Sequence, residues 1–560
     1  MFLKKIKFIL IISILYQTPL YSKSSSFVDF NSKNLAKYFS GIVAFENKDN
    51  STALEFFNSS KILLNEHDPF LKRYIYSLVL ENKVSQAINI IKNNKDKSSS
   101  NFFDANLLLV LDSLKKKEFE KADIYLKKIN VTQENRFNLA IIESLKQYIH
   151  TFRKKEVLDS ETNLGKLSAI SETFQRCFLG DNKVDKYFSN LISSGEGDYT
   201  RYIFFYLSYL VENGRLDDAS KITNDLDYIN STLLLSQGKS WIQNDNLEKF
   251  SSVFSCKNPS HIISEFFFLI SNLYSSQDNF EKSNFYLSLS YFLNPKFIFN
   301  LSLVVENQYL NKEYKEAKKT LKNFKKEDDF YYWYRVKKEA QIIGKEKNKK
   351  DSLNYITAEF NKIDEPNNKI LFDIANFYKS LKKYEESIKY YTQVINNLDS
   401  KSDMRADLLY RRGGSFERIN NYERADEDLL ESLKIDSEDA YVLNYLAYSW
   451  LERDYKINEA IQMLEKAYSY ESNDPYIIDS IGWAYYLIDD YLKAENFLKR
   501  AVELMPDDPI VNDHYGDILW MLDRKIQARY FWGNVIEMED AEKEMIEKIK
   551  TKLIKGLKNS

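Results

Sequence analysis

The chain has 560 residues, more than one compact core usually holds, so several domains or one extended repeat array are the choices. Hydrophobic residues at 44% and charged residues at 29% exclude a disordered chain, and 14 Gly with 8 Pro are too few for the many tight turns of a strand-rich fold. A net charge of −3 leaves no electrostatic footprint for nucleic acid.

Residues 1–22 read as a secretory signal peptide. Lys4, Lys5 and Lys7 form a basic start, and Phe8 to Tyr16 is apolar apart from Ser13. Gln17, Thr18 and Pro19 break that run, and a cleavage site follows Ser22. Spanning a bilayer takes about 20 apolar residues, so this run is too short. No cysteine follows it, so a lipoprotein anchor is not supported. The expected location is the periplasm or beyond. An uncleaved inner-membrane anchor is the alternative, because Leu20 is large for its place in the cleavage site.

Residues 23–150 are expected to be a degenerate helical region. Gly41, Ala53 and Phe57, then Phe119 and Ala122, repeat a small-and-aromatic pattern whose meaning is set by better copies downstream. The polar run Asn93–Ser100 reads as a loop. Residues 151–260 hold Gly165, Gly180, Gly195 and Gly197 without a firm phase and read as irregular helices. The two cysteines, Cys177 and Cys256, have no CxxC spacing. In an oxidising compartment they could form one disulfide; two buried thiols is the preferred reading, because free Cys is usually core.

Residues 261–350 show clearer copies, through Ile270, Tyr274, Phe280, Ser283 and Pro295, then Tyr314 and Ala317. Lys345–Lys350 reads as a loop. The strongest block is 351–540. Small residues fall midway along one helix at Gly413, Ala447, Gly482 and Gly516, and alanines early in the next at Ala425, Ala460, Ala494 and Ala528. The last three alanines are 34 residues apart. Antiparallel helices approach closely only where side chains are small, so such residues mark crossings. Ile477, Ile481 and Tyr485 carry helical spacing along the first helix of the best copy. Asp474-Pro475 and Asp508-Pro509 place an N-cap acid before a proline at the first helical position. Residues 541–560 finish the chain with Met545, Ile549 and Leu553 in a stripe, an amphipathic capping helix.

This pattern resembles the tetratricopeptide repeat (TPR), a 34-residue helix–turn–helix. In the copy starting at Pro475 the match covers Gly482, Tyr485, Ala494, Ala501 and Pro506. Tyr378, Tyr384 and Ser387 fit an earlier copy. The resemblance implies an all-α, α-α superhelical solenoid closed by its C-terminal helix.

No catalytic constellation is present. The histidines, His67, His150, His261 and His514, form no HExxH, and no GxSxG, Walker A or GxGxxG occurs. Neither a catalytic site, a cofactor nor a metal is expected. A cell-wall-acting enzyme on a helical scaffold is the weaker alternative.

The resemblance further implies that first helices line a concave groove for other proteins. Carried over residue by residue, its positions are Asn444, Tyr448, Asp479, Trp483, Tyr486, Asp513, Asp517 and Trp520. This surface is aromatic and acidic, and it lacks the lysines that clamp a carboxylate. The expected partner is therefore a basic, partly apolar protein segment, not an acidic C-terminus. Alternatively, Trp483 and Trp520 only pack between neighbouring repeats. The expected function is a non-catalytic interaction scaffold or adaptor in envelope assembly or export, with a membrane-attached assembly factor as the alternative.

Overall fold

A computed structural model describes residues 32–557, apart from 66–67, 95–100, 130–135, 159–163, 194–199, 225, 227–228, 230, 327–328, 400–401 and 403. The signal-peptide reading of 1–22, most of the loop at 93–100, and His67 lie outside the described residues. Among the described residues the chain is a helical-repeat solenoid with no strand. It divides into two units. The first holds 1–226 and 231–357, the second 227–230 and 358–560.

In the first unit, antiparallel pairs follow one another. Ser32–Glu46 pairs with Asn50–Ser59, Phe103–Lys115 with Phe119–Lys127, and Pro259–Ser275 with Phe280–Leu293. One residue of each connecting turn is left-handed. It is Lys48, Asn82 and Lys117, then Gly180 and Gly214, then Asp245, Asp278 and Lys312. Most of these positions lie about 34 residues apart. Helix pairs therefore continue among the described residues of 166–253, where no phase is legible in the sequence. Early pairs also meet later ones. Tyr76 stacks on Phe285 at 4.7 Å, and Lys48 Nζ donates to Asn311 Oδ1 at 2.9 Å.

Two features pin this unit. Arg201 makes a two-pronged ion pair with the fully buried Glu265 (Nε–Oε1 2.7 Å, Nη2–Oε2 2.6 Å), donates to Asn300 Oδ1, and lies 3.8 Å from the centre of the Phe268 ring. Burial raises the Glu265 pKa and Arg201 works against that rise. Cys177 and Cys256 form a disulfide, with their Cα atoms 5.6 Å apart. The preferred reading of two free buried thiols is corrected. Both side chains are buried, but the fold brings the end of Lys166–Leu179 against the turn before Pro259.

In the second unit the helices are α1 Asn368–Ser380, α2 Tyr384–Asn397, α3 Met404–Arg418, α4 Tyr422–Ile435, α5 Ala440–Leu451 and α6 Ile457–Tyr470. They continue as α7 Pro475–Leu487, α8 Tyr491–Leu504, α9 Pro509–Met521, α10 Lys525–Glu537 and α11 Lys543–Lys555. The starts are capped as the sequence implies. The carboxylates of Asp439, Asp474 and Asp508 each accept two backbone N–H groups of the helix that follows. At the crossing of α7 with α8, a Cβ on Gly482 would sit 2.7 Å from Leu498 Cγ, so only glycine lets the helices meet this closely. Ala460, Ala494 and Ala528 are fully buried at the corresponding contacts.

Candidate functional site

The first helices α5, α7 and α9 pack directly on one another. The repeat register therefore sets corresponding residues in rows across them. Asn444, Asp479 and Asp513 form one row, and Tyr448, Trp483 and Asp517 the next. Tyr486 and Trp520 stand in a third.

The middle of this face is aromatic and incompletely bonded. Trp483 stacks on Tyr486 at 4.6 Å and on His514 at 4.1 Å, both nearly parallel. His514 is buried, with Nδ1 2.9 Å from Asp479 Oδ2. Burial works to lower the His514 pKa, but the carboxylates of Asp479, Asp513 and Asp517 together more than offset this and hold it raised. Asn444 Oδ1, Asp479 Oδ1 and Trp483 Nε1 are buried atoms with no hydrogen-bond partner among the described residues. Such atoms are costly to leave bare. Tyr448 is half-buried beside them, its phenol pushed up by burial and then by Glu452.

The C-terminal end of the face is occupied by the chain itself. Lys552 on α11 donates to Asp513 Oδ1 at 2.6 Å and to both Asp517 oxygens at 2.7 Å. Trp532 Nε1 adds a bond to Asp517 Oδ1 at 2.9 Å. Burial, and then the charge of Asp513, pushes Asp517 up to about 6 against the pull of Lys552. Trp520 stands 5.4 Å from Trp532 and is covered by Gly556, where a Cβ would fall 1.9 Å from Trp520 Cζ2.

The structure thus divides the sequence-predicted residues. Asn444, Tyr448, Asp479, Trp483 and Tyr486 form one half-open patch, while Asp513, Asp517 and Trp520 are engaged by the capping helix. Sequence reasoning missed Lys552, His514 and Gly556. One signal was available: Asp513 and Asp517, four apart on one helix, set two carboxylates side by side, which demands a cation. Lys379 was missed too. It lies half-buried near Tyr410 and Gly414, pushed down to about 8 by burial and then by Arg411, and with Arg411 it makes this face more basic upstream. Among the described residues, no cluster of His, Cys, Asp and Glu could hold a metal ion, and no helix is long and apolar enough to cross a membrane.

Capped antiparallel pairs, small residues at each crossing and a 34-residue register define a tetratricopeptide-repeat protein, a fold that mediates contacts between proteins. The chain carries a tetratricopeptide repeat: the family model described as Tetratricopeptide repeat matches residues 369–397, which fall on α1 and α2. It is 28% identical over 125 residues to a TPR repeat-containing protein of Pseudomonas aeruginosa, a match covering 22% of this chain. The match spans 19% of the length of that relative. Solved structures similar to it include MamA from Desulfovibrio magneticus, 19% identical, covering 31% of this chain and 97% of that one with a TM-score of 0.27. A thermophilic TPR protein of Thermus thermophilus is 15% identical, covering 34% and 100% with a TM-score of 0.30. PilW, described as a type IV pilus biogenesis factor, is 16% identical, covering 34% and 86% with a TM-score of 0.30.

Proposed function

We propose that this chain is a non-catalytic scaffold of the cell envelope that holds an extended segment of another protein on the first-helix face of its second unit. The observation that supports the reading is the trio Asn444 Oδ1, Asp479 Oδ1 and Trp483 Nε1. It offers two acceptors and one donor on one face. A peptide backbone supplies both a donor and an acceptor at every residue except proline. Trp483, Tyr448 and Tyr486 offer apolar area with few rotors to freeze. Because Lys552 is already paired with Asp513 and Asp517, and His514 with Asp479 Oδ2, the acceptor left for a basic partner residue is Asp479 Oδ1.

The envelope part of the proposal rests on the export signal read in residues 1–22 and on the Cys177–Cys256 bond, since disulfides persist in oxidising compartments. The test is a pull-down from envelope extract with the full chain and an Asn444→Ala/Trp483→Ala variant. A partner lost in the variant at unchanged helical content supports the groove. Capture of the same partners by both would sink it. N-terminal sequencing of the recovered protein reads leader removal directly, and retention of residues 1–22 would favour the anchored alternative.

A further inference from the structure

A second surface lies away from the first-helix face, along the connections between repeats. Ile435, Tyr470 and Leu504 end or nearly end α4, α6 and α8, and Tyr441, Tyr476 and Ile510 stand in the first turns of α5, α7 and α9. These six large apolar side chains are between 41% and 55% exposed. Each set occupies one position of the repeat, at intervals of 35 and then 34 residues. Exposed apolar residues scattered singly are ordinary. Here they recur in pairs at three successive turns, and register places the pairs as rungs along one edge. The Tyr441 phenol is raised first by Asp474 and then by Glu471, so neighbouring rungs are within electrostatic reach. Beside the first rung, Leu433, Leu443 and Met463 line a shallow cavity of about 410 Å³.

The turns along this edge are acidic. Asp436, Glu438 and Asp439 lie in the first turn, Glu471 and Asp474 in the second, Asp507 and Asp508 in the third, and none of these turns contains a Lys or Arg. Two cations of the next repeat tie into these turns: Lys466 Nζ donates to Ser437 O at 2.8 Å, and Arg500 Nη2 to Asn473 Oδ1 at 2.7 Å. Lys466 and Arg500 are themselves one repeat apart. The rungs are thereby fixed relative to one another before anything binds.

We infer that this edge seats a basic amphipathic helix of another protein. Packed helices lie about 8–10 Å apart, which sets the rung spacing because α5, α7 and α9 contact in turn. A helix rises about 10.5 Å over seven residues, so apolar side chains at i, i+7 and i+14 meet three rungs. Lysines or arginines flanking that stripe face the carboxylates of the turns. A second copy docked by two-fold symmetry would instead bring like charge onto like charge.

The test uses the full chain and two synthetic amphipathic helices of about 18 residues, one of Leu and Lys and one of Leu and Glu, followed by fluorescence anisotropy. The Leu/Lys peptide is expected to bind, and to weaken as salt is raised. The exposed-site variant Tyr441→Ser/Tyr476→Ser/Ile510→Ser should weaken it about tenfold or more, with circular dichroism unchanged. Asp436→Asn/Glu438→Gln/Glu471→Gln, which keeps every apolar side chain, should also weaken it. Trp483→Ala should leave it within about twofold, separating this edge from the groove. Equal binding of both peptides, or wild-type binding by the two edge variants, overturns the proposal. So does a dimer in sedimentation that the Tyr/Ile variant turns into monomer, since the edge would then belong to a second copy.

Discussion

Lys552 reaches across from the capping helix to place its ammonium 2.7 Å from both carboxylate oxygens of Asp517, a residue 35 positions earlier and 4% exposed. A solenoid leaves the last face of its last repeat open, and apolar packing by Ile549 covers part of it. The ion pair fixes where the covering helix sits. Lys552→Ala should cost about 1–3 kcal/mol at neutral pH, by leaving Asp517 buried without its cation. Hydrogen exchange along 543–555 should accelerate more than along α7. Uniform acceleration would mean that the helix is not separately held.

The same cluster sets a pH dependence. Asp517 is raised in the folded state, so between its unfolded value and about 6 the native protein binds the extra proton. Stability should therefore fall as pH rises through that window. His514 is also raised, so its contribution is present below the unfolded histidine pKa and lost as pH rises through the folded value. Both groups act in one direction. Asp517→Asn should flatten the lower part of the slope, as read from urea midpoints at a series of pH values. An unchanged slope would assign it elsewhere.

Arg201 and Glu265 should behave as a buried pair. Arg201→Met leaves Glu265 charged or forces it to protonate, and should cost about 3–5 kcal/mol. Arg201→Met/Glu265→Leu removes both charges and should recover part of that loss. A double-mutant cycle measures the difference, and additivity would contradict the pairing.

The Cys177–Cys256 bond closes a long stretch of the first unit, with a sequence separation of 79. Reduction, or Cys256→Ser, should lower the first unit's stability by about 2–4 kcal/mol while leaving the second almost untouched. Two thermal transitions followed with and without reductant check this. A shift of both, or of neither, would count against it.

Gly482→Ala puts a methyl group into the space held by Leu498. It should destabilise the α7–α8 crossing by about 1–3 kcal/mol. Gly533→Ala is a control, because a Cβ there meets nothing within 4 Å. Comparable losses in the two variants would remove close approach as the reason for glycine at 482.

How much was legible follows from distance along the chain. The helix pairs of 367–540, their Asp-Pro starts and their small crossings were readable because caps, periodicity and crossing residues act within one repeat. The turns at Gly180, Gly214 and Asp245 were not, since a left-handed residue can be Gly, Asp or Lys and leaves little mark when the seam residues have drifted. The face residues Asn444, Tyr448, Asp479 and Trp483 could be placed from register alone. What the sequence by itself determined was helix, register and which side chains share a row. Only the tertiary structure decided that Lys552 and Gly556 occupy one end of that face, that His514 holds Asp479, and that Cys177 meets Cys256. Those pairings depend on how far each helix turns on the next, and that angle is set by packing summed over many repeats.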